Sequence, residues 1–151
     1  MSGPLPPDDG GRRSAASASL EAFFSQKASR KVMSAYLFGS HAEQRTHRES
    51  DIDVGVLLDW RLVPSRLARA ELRLSLSSEL IAVTGNNFVD IVVLNDAPPQ
   101  FARSIVTLGS PLFVRDPELD HAFRRDIQLL AADLTPWLDR MRRIKLKVLQ
   151  Q

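Results

Sequence analysis

Ala35-Tyr-Leu-Phe-Gly-Ser-His-Ala-Glu-Gln-Arg-Thr-His-Arg-Glu-Ser-Asp-Ile-Asp-Val54 is the stretch on which the fold turns. Its second half runs on as Asp51-Ile-Asp-Val-Gly-Val-Leu-Leu58, alternating polar or small residues with apolar ones. That period of two predicts a strand with Ile52, Val54, Val56 and Leu58 on one face and Asp51 and Asp53 on the other. Carboxylates two apart on a strand lie close enough to ligate one metal ion or two adjacent ones, and hard oxygen donors suit Mg²⁺ or Mn²⁺. Two aspartates facing one site repel, and a cation relieves the repulsion. Taken alone, such a pair is as readily a solvated feature at the start of a strand.

Upstream, Tyr36-Leu-Phe38 reads as the end of a buried strand, and Gly39 supplies a residue without Cβ where the chain must turn sharply or admit a ligand to its backbone. Ser40 is placed to cap a following helix. Strand, Gly-Ser and helix together set free backbone N–H groups and a hydroxyl at a helix N-terminus, where phosphate oxygens bind. Farther on, Phe88-Val-Asp-Ile-Val-Val-Leu94 is an apolar strand interrupted by Asp90. A lone charge in such a run is costly unless it is paired or metal-bound.

Gly39-Ser40, ten intervening residues, Asp51-x-Asp53 and a later strand carrying Asp90 together resemble the signature of the nucleotidyltransferase superfamily related to DNA polymerase beta. More narrowly, the chain resembles the minimal nucleotidyltransferase (MNT) domains often encoded beside a HEPN-domain ribonuclease toxin and acting as its antitoxin. Val89 to Pro117 is similar to the family's third-carboxylate strand, following helix and short strand ending in an Arg-Asp-Pro turn, so the likeness covers roughly residues 20 to 117. One departure is Gln44, where many relatives carry glycine. The resemblance implies a nucleotidyltransferase fold, an α/β (α+β) domain whose mixed sheet is flanked by helices. It implies that Asp51, Asp53 and Asp90 are catalytic and hold two Mg²⁺ ions, with Mn²⁺ as a substitute, while Gly39 and Ser40 bind the nucleotide. It further implies transfer of AMP from ATP to a hydroxyl, here a tyrosine of a cognate HEPN-domain ribonuclease toxin. An aminoglycoside-type small-molecule transferase and a catalytically silent binding antitoxin stand as alternatives; three intact carboxylates speak against the silent one.

Composition sets bounds that agree with this reading. With 151 residues, 25% of them charged and 44% hydrophobic, the chain fits one domain with a substantial core and leaves no room for a second catalytic domain. No apolar run approaches a membrane span. With no cysteine, disulfides and thiolate metal sites are excluded, which is compatible with the expected cytoplasmic location. The net charge of +2 is only mildly basic. The cluster Arg140, Arg142, Arg143, Lys145 and Lys147 would be spread around much of a helix, so we read it as a solvated helix end and expect no direct nucleic-acid binding.

Along the chain, residues 1–18 are rich in Pro, Gly, Ser and Ala and read as a disordered tail without the apolar core of a signal peptide. Residues 19–117 form the expected transferase core, and 118–151 a helical segment of the same domain. Within the core, helices are expected from Ser19 to near Lys31, over about 64–83 with an apolar stripe of Leu67, Leu72, Leu76, Leu80 and Ile81, and from Pro98-Pro99 to Leu108; a short strand follows over Pro111–Val114. Thr135-Pro136 marks a break or the start of a second helix. The apolar residues from Phe123 to Ile144 either pack on the sheet or meet a partner. His41 and His47 lack zinc-site spacing, and Arg115 with His121 matches an Arg-x-His ribonuclease spacing only by chance, since HEPN domains are all-helical and this chain has strands.

Overall fold

The computed structural model describes residues 10–39 and 51–149, with side chains from residue 16 onward. Ser40 and the segment 41–50, including Gln44 and both of its histidines, lie outside the described residues. The elements are α1 (Gly10–Gln26), β1 (Val32–Phe38), β2 (Ile52–Leu58), α2 (Arg66–Thr84), β3 (Val89–Val93), α3 (Pro99–Leu108), β4 (Ser110–Val114) and α4 (Pro117–Leu149).

Alternation of apolar side chains explains the layering. The four strands form one mixed sheet in the order β3-β2-β1-β4. β1 is antiparallel to β2 and β4, and β2 is parallel to β3. On one face, Val54, Val56, Leu58, Ile91 and Val93 meet Leu20, Phe23 and Phe24 of α1 and Leu76 and Leu80 of α2. On the other, Met33, Tyr36 and Leu57 meet Ala102, Ile105 and Val106 of α3 and Ile127 of α4. Each fully buried large side chain contributes about 1.5–3 kcal/mol, so both helical layers are held by burial rather than by surface charge.

Three elements differ from expectation for identifiable reasons. Helix α1 begins at Gly10, earlier than Ser19, because Arg12-Arg-Ser-Ala-Ala-Ser-Ala18 contains neither Pro nor Gly and is rich in good helix formers. Helix α2 starts after Pro64: the Ser65 hydroxyl accepts from the Ala68 N–H, and Gly85 closes the helix in the left-handed conformation. Leu67 sits five residues before Leu72, off the buried stripe, and is exposed.

Helix α4 does not break at Pro136. Proline removes one backbone donor and crowds the preceding turn. Here the Thr135 hydroxyl and the Gln100 side-chain amide, both at 2.8 Å, donate to the Ala131 carbonyl, and Gln100 also reaches the Thr135 oxygen. Helix α3 thus holds the turn of α4 that leads into its proline. The other end of α4 is capped by Asp116, whose carboxylate accepts from the Glu118 and Leu119 N–H groups, and Arg115 donates to the Val32 carbonyl at 3.0 Å. The Arg-Asp-Pro turn is therefore a joint between β4, β1 and α4. Behind it, the buried Tyr36 hydroxyl donates to the buried Asp120 carboxylate. Burial and that neighbouring carboxylate push the phenol's pKa far up.

A second joint ties α2 to the β3–α3 loop. Arg69 donates to both oxygens of Asp96 at 2.9 and 2.8 Å and to the Val63 and Pro64 carbonyls at 3.0 Å. The side chains are only 14% and 20% exposed, so this fork is shielded from solvent and its loss should register. The guanidinium holds the Asp96 carboxyl below its ordinary value. A depressed folded pKa contributes stability that is present above the unfolded value of about 4 and is lost as pH falls through the folded one. Asp96→Asn is therefore expected to cost about 2 kcal/mol at neutral pH and to flatten the acid limb of the stability curve. Urea midpoints of both proteins between pH 7 and about 3 check this. Parallel curves would remove the pair from the stability account.

Candidate active site

Register brings the candidate carboxylates together. Phe38 of β1 pairs with Asp53 of β2, and Asp53 pairs with Asp90 of β3. Register partners point to the same face of a sheet, so Phe38, Asp53 and Asp90 form one row across three strands, near their ends and on the side that carries α3. The parallel pairing of β2 with β3 is what makes two carboxylates 37 positions apart in the chain into neighbours. Asp51 lies one residue ahead of β2, two before Asp53, and is exposed. The Ile52 N–H donates to the Phe88 carbonyl at 2.8 Å, which keeps this approach in line with the sheet.

Gly39 follows Phe38 directly and has a φ of 74°. A Cβ built on it would lie 2.3 Å from Oδ2 of Asp53. The turn after β1 thus closes against the Asp53 carboxylate at a positive φ, and any side chain there would force the carboxylate or the turn to shift. One layer deeper, Gly55 lets α3 approach, since a Cβ at that position would meet Cγ2 of Ile105 at 2.7 Å. Helix α3 then brings Phe101 edge-on to Phe38, with ring centroids 5.9 Å apart, and these two rings wall the row on one side.

Asp90 opens outward from the row into a groove of about 390 Å³ at the free edge of β3, lined by Arg66, Ala70 and Arg73 of α2 and by Pro98 and Phe101. Arg73 approaches Asp90 at 3.9 Å, with the two side chains 50% and 63% exposed, so their attraction is weak. Arg66, Arg69 and Arg73 were not singled out by sequence reasoning, although their spacing of three and four does place them on one face of a helix. A larger concavity of about 550 Å³ runs along the outer half of α4 and shares no residue with the carboxylate row.

The donor set fits divalent cations in chemistry. Like charges on neighbouring strands repel, and at Asp90 the one approaching guanidinium among the described residues, that of Arg73, stands 3.9 Å away. Carboxylate oxygens beside a turn with no side chain are what Mg²⁺ and a phosphate group together require. Among the described residues, no three acidic or histidine side chains already converge as a closed metal cage. Asp53 and Asp90 are brought together, Asp51 stands beside them on the approach, and Ser40 lies outside the described residues.

Comparison with known proteins agrees with this geometry. The family described as Polymerase beta, Nucleotidyltransferase matches residues 19–118. The protein adenylyltransferase MntA of Shewanella oneidensis is 37% identical over 83 residues, 55% of this chain and 55% of that protein. The chain thus spans about half the length of the curated relative it matches. Among solved structures, a toxin–antitoxin crystal structure with AMP-PNP superposes with a TM-score of 0.57 at 28% identity, over 83% of this chain and 98% of the matched one. A mutant of the toxin–antitoxin complex MntA-HpeT gives a TM-score of 0.55 at 27% identity, with the same coverage. With the site's glycine turn and carboxylate strands inside the matched segment, the chain belongs to the polymerase beta nucleotidyltransferase family.

Proposed function

We propose that this protein is a protein adenylyltransferase that moves AMP from ATP to a tyrosine hydroxyl of a cognate HEPN-domain ribonuclease toxin and so acts as its antitoxin. The observation that carries the reading is the register pairing of Asp53 with Asp90 beside the side-chain-free turn at Gly39. Support comes also from family membership, from the relative named as a protein adenylyltransferase and from the similar chain crystallised in a toxin–antitoxin structure with AMP-PNP.

In this reading Asp51, Asp53 and Asp90 would hold two Mg²⁺ ions, which would supply charge neutralisation for the triphosphate and the attacking oxygen. The Gly39 turn admits phosphate oxygens to the backbone, with Ser40 as the adjoining hydroxyl. Asp90, the outermost carboxylate, faces the groove from which an acceptor arrives and takes the proton of its hydroxyl. The acceptor oxygen bonds to the α-phosphorus, the bond from that phosphorus to the oxygen bridging to the β-phosphate breaks, and pyrophosphate leaves with the electron pair. The protein's share is positioning and electrostatics, which a small sheet with fixed register can supply. A phosphodiester added to a tyrosine beside a ribonuclease centre would repel RNA by its charge.

The test is to incubate the purified chain and toxin with ATP and Mg²⁺ and to weigh the toxin by intact mass spectrometry. Addition of AMP to the toxin, mapped to tyrosine and absent with Asp53→Asn, is the expected result. Unmodified toxin that is nevertheless neutralised, equally by wild type and Asp53→Asn, would replace this reading with a silent binding antitoxin.

A further inference from the structure

Helix α4 carries a second pattern that the transferase site does not use. Because the helix continues through Pro136, apolar residues recur at alternating steps of four and three along its outer half: Leu130, Leu134, Trp137, Met141, Ile144 and Val148. That is a heptad seam, with Leu134, Met141 and Val148 at a and Leu130, Trp137 and Ile144 at d. The helix uses a different face for its own fold, the one bearing Asp120, Ile127 and Ala131. By helical geometry the seam lies about a quarter turn away from that face. Five of its six residues are between 45% and 66% exposed, and Leu134 is half-buried. Exposed side chains scattered singly need no explanation, but a continuous seam of this length does.

The flanking charges select the occupant. Residues one before Leu134, Met141 and Val148 are Asp133, Arg140 and Lys147, and Asp126 lies one heptad ahead of Asp133, before the buried Ile127. Among the described residues, neither Asp133, Arg140 nor Lys147 takes part in an ion pair within the chain. We infer that the seam is the interface for a second copy of this chain, bound antiparallel through α4. In that arrangement Leu134 meets Trp137 of the second copy and Leu130 meets Met141, so the part of the seam paired with itself runs from Leu130 to Met141. The same register sets Asp133 beside Arg140 of the second copy and Asp126 beside Lys147, each pair occurring twice by symmetry. A parallel pair would instead bring Arg140 next to Lys145, like against like. The two-fold axis passes between Leu134 and Trp137, and α3 occupies a different side of the helix, at Ala131 and Thr135.

The test uses the full chain alone in sedimentation equilibrium, with circular dichroism to verify folding. Wild type is expected to be a dimer that weakens with salt. Met141→Glu is expected to be a folded monomer. Asp133→Arg is expected to weaken dimerisation roughly tenfold by turning two attractions into repulsions, and the double exchange Asp133→Arg with Arg140→Asp to restore it. A wild type that stays monomeric overturns the inference. So does a dimer indifferent to Met141→Glu, or one that Asp133→Arg weakens and the double exchange fails to restore. These outcomes are independent of transferase activity, because neither the seam nor its flanking charges belong to the carboxylate row.

Discussion

Asp53→Asn is expected to lower AMP transfer by about 10³-fold or more without unfolding the protein. Asp53 is the central member of the row: it touches the space above Gly39 on one side and pairs in register with Asp90 on the other. Asparagine preserves its shape but removes the charge that a divalent cation requires. Two measurements separate loss of chemistry from loss of fold. The melting temperature of the metal-free variant should stay near that of the wild type, because the change also relieves the repulsion between two neighbouring carboxylates. Addition of ATP with Mg²⁺ should raise the melting temperature of wild type and leave the variant unmoved, since a ligand stabilises only the state that binds it. Asp51→Asn should follow the same pattern. Asp90→Asn should keep more of the ligand-induced stabilisation than of the rate if, as proposed, this groove-lining carboxylate serves the acceptor side. Full transfer by Asp53→Asn would remove the carboxylate row from the site.

The placement of Asp53 and Asp90 on strands was largely legible in the sequence, and the reason is physical. Alternation along Ile52–Leu58 fixes which face Asp53 shares, and an aspartate inside an apolar strand announces itself as an exception. What the sequence does not contain is the order of strands: nothing in Phe88–Leu94 says that β3 lies parallel beside β2 with Asp90 opposite Asp53 rather than one step off. That register follows from the crossover through α2, which the Arg69–Asp96 fork secures from 27 positions away in the chain. The same limit explains α4. Local rules make Pro136 a helix breaker, and only the presence of Gln100 on a packed neighbour shows that the turn before the proline is tied to α3. Arg73 escaped notice because one basic residue on an exposed helix face has no signature until a carboxylate from another strand comes beside it.

Gly39→Ala is expected to reduce transfer about 10²-fold and to lower the melting temperature by about 2–8 °C, and the two losses have separate causes. The thermal loss comes from the backbone: at a φ of 74° a residue with a Cβ pays about 1–2 kcal/mol that glycine does not. The catalytic loss comes from contact, because the new methyl would stand 2.3 Å from Oδ2 of Asp53 and the carboxylate or the turn must give way. A displacement of about 1 Å at a positioned ligand is enough for a loss of that size. Gly85 provides the control. Its φ of 69° is nearly the same, but a Cβ there would meet nothing within 4 Å. Gly85→Ala should therefore lower the melting temperature to a similar degree and leave transfer unchanged. If both variants lose stability and both retain full activity, the turn at Gly39 is a structural bend, and the phosphate-binding role assigned to it falls.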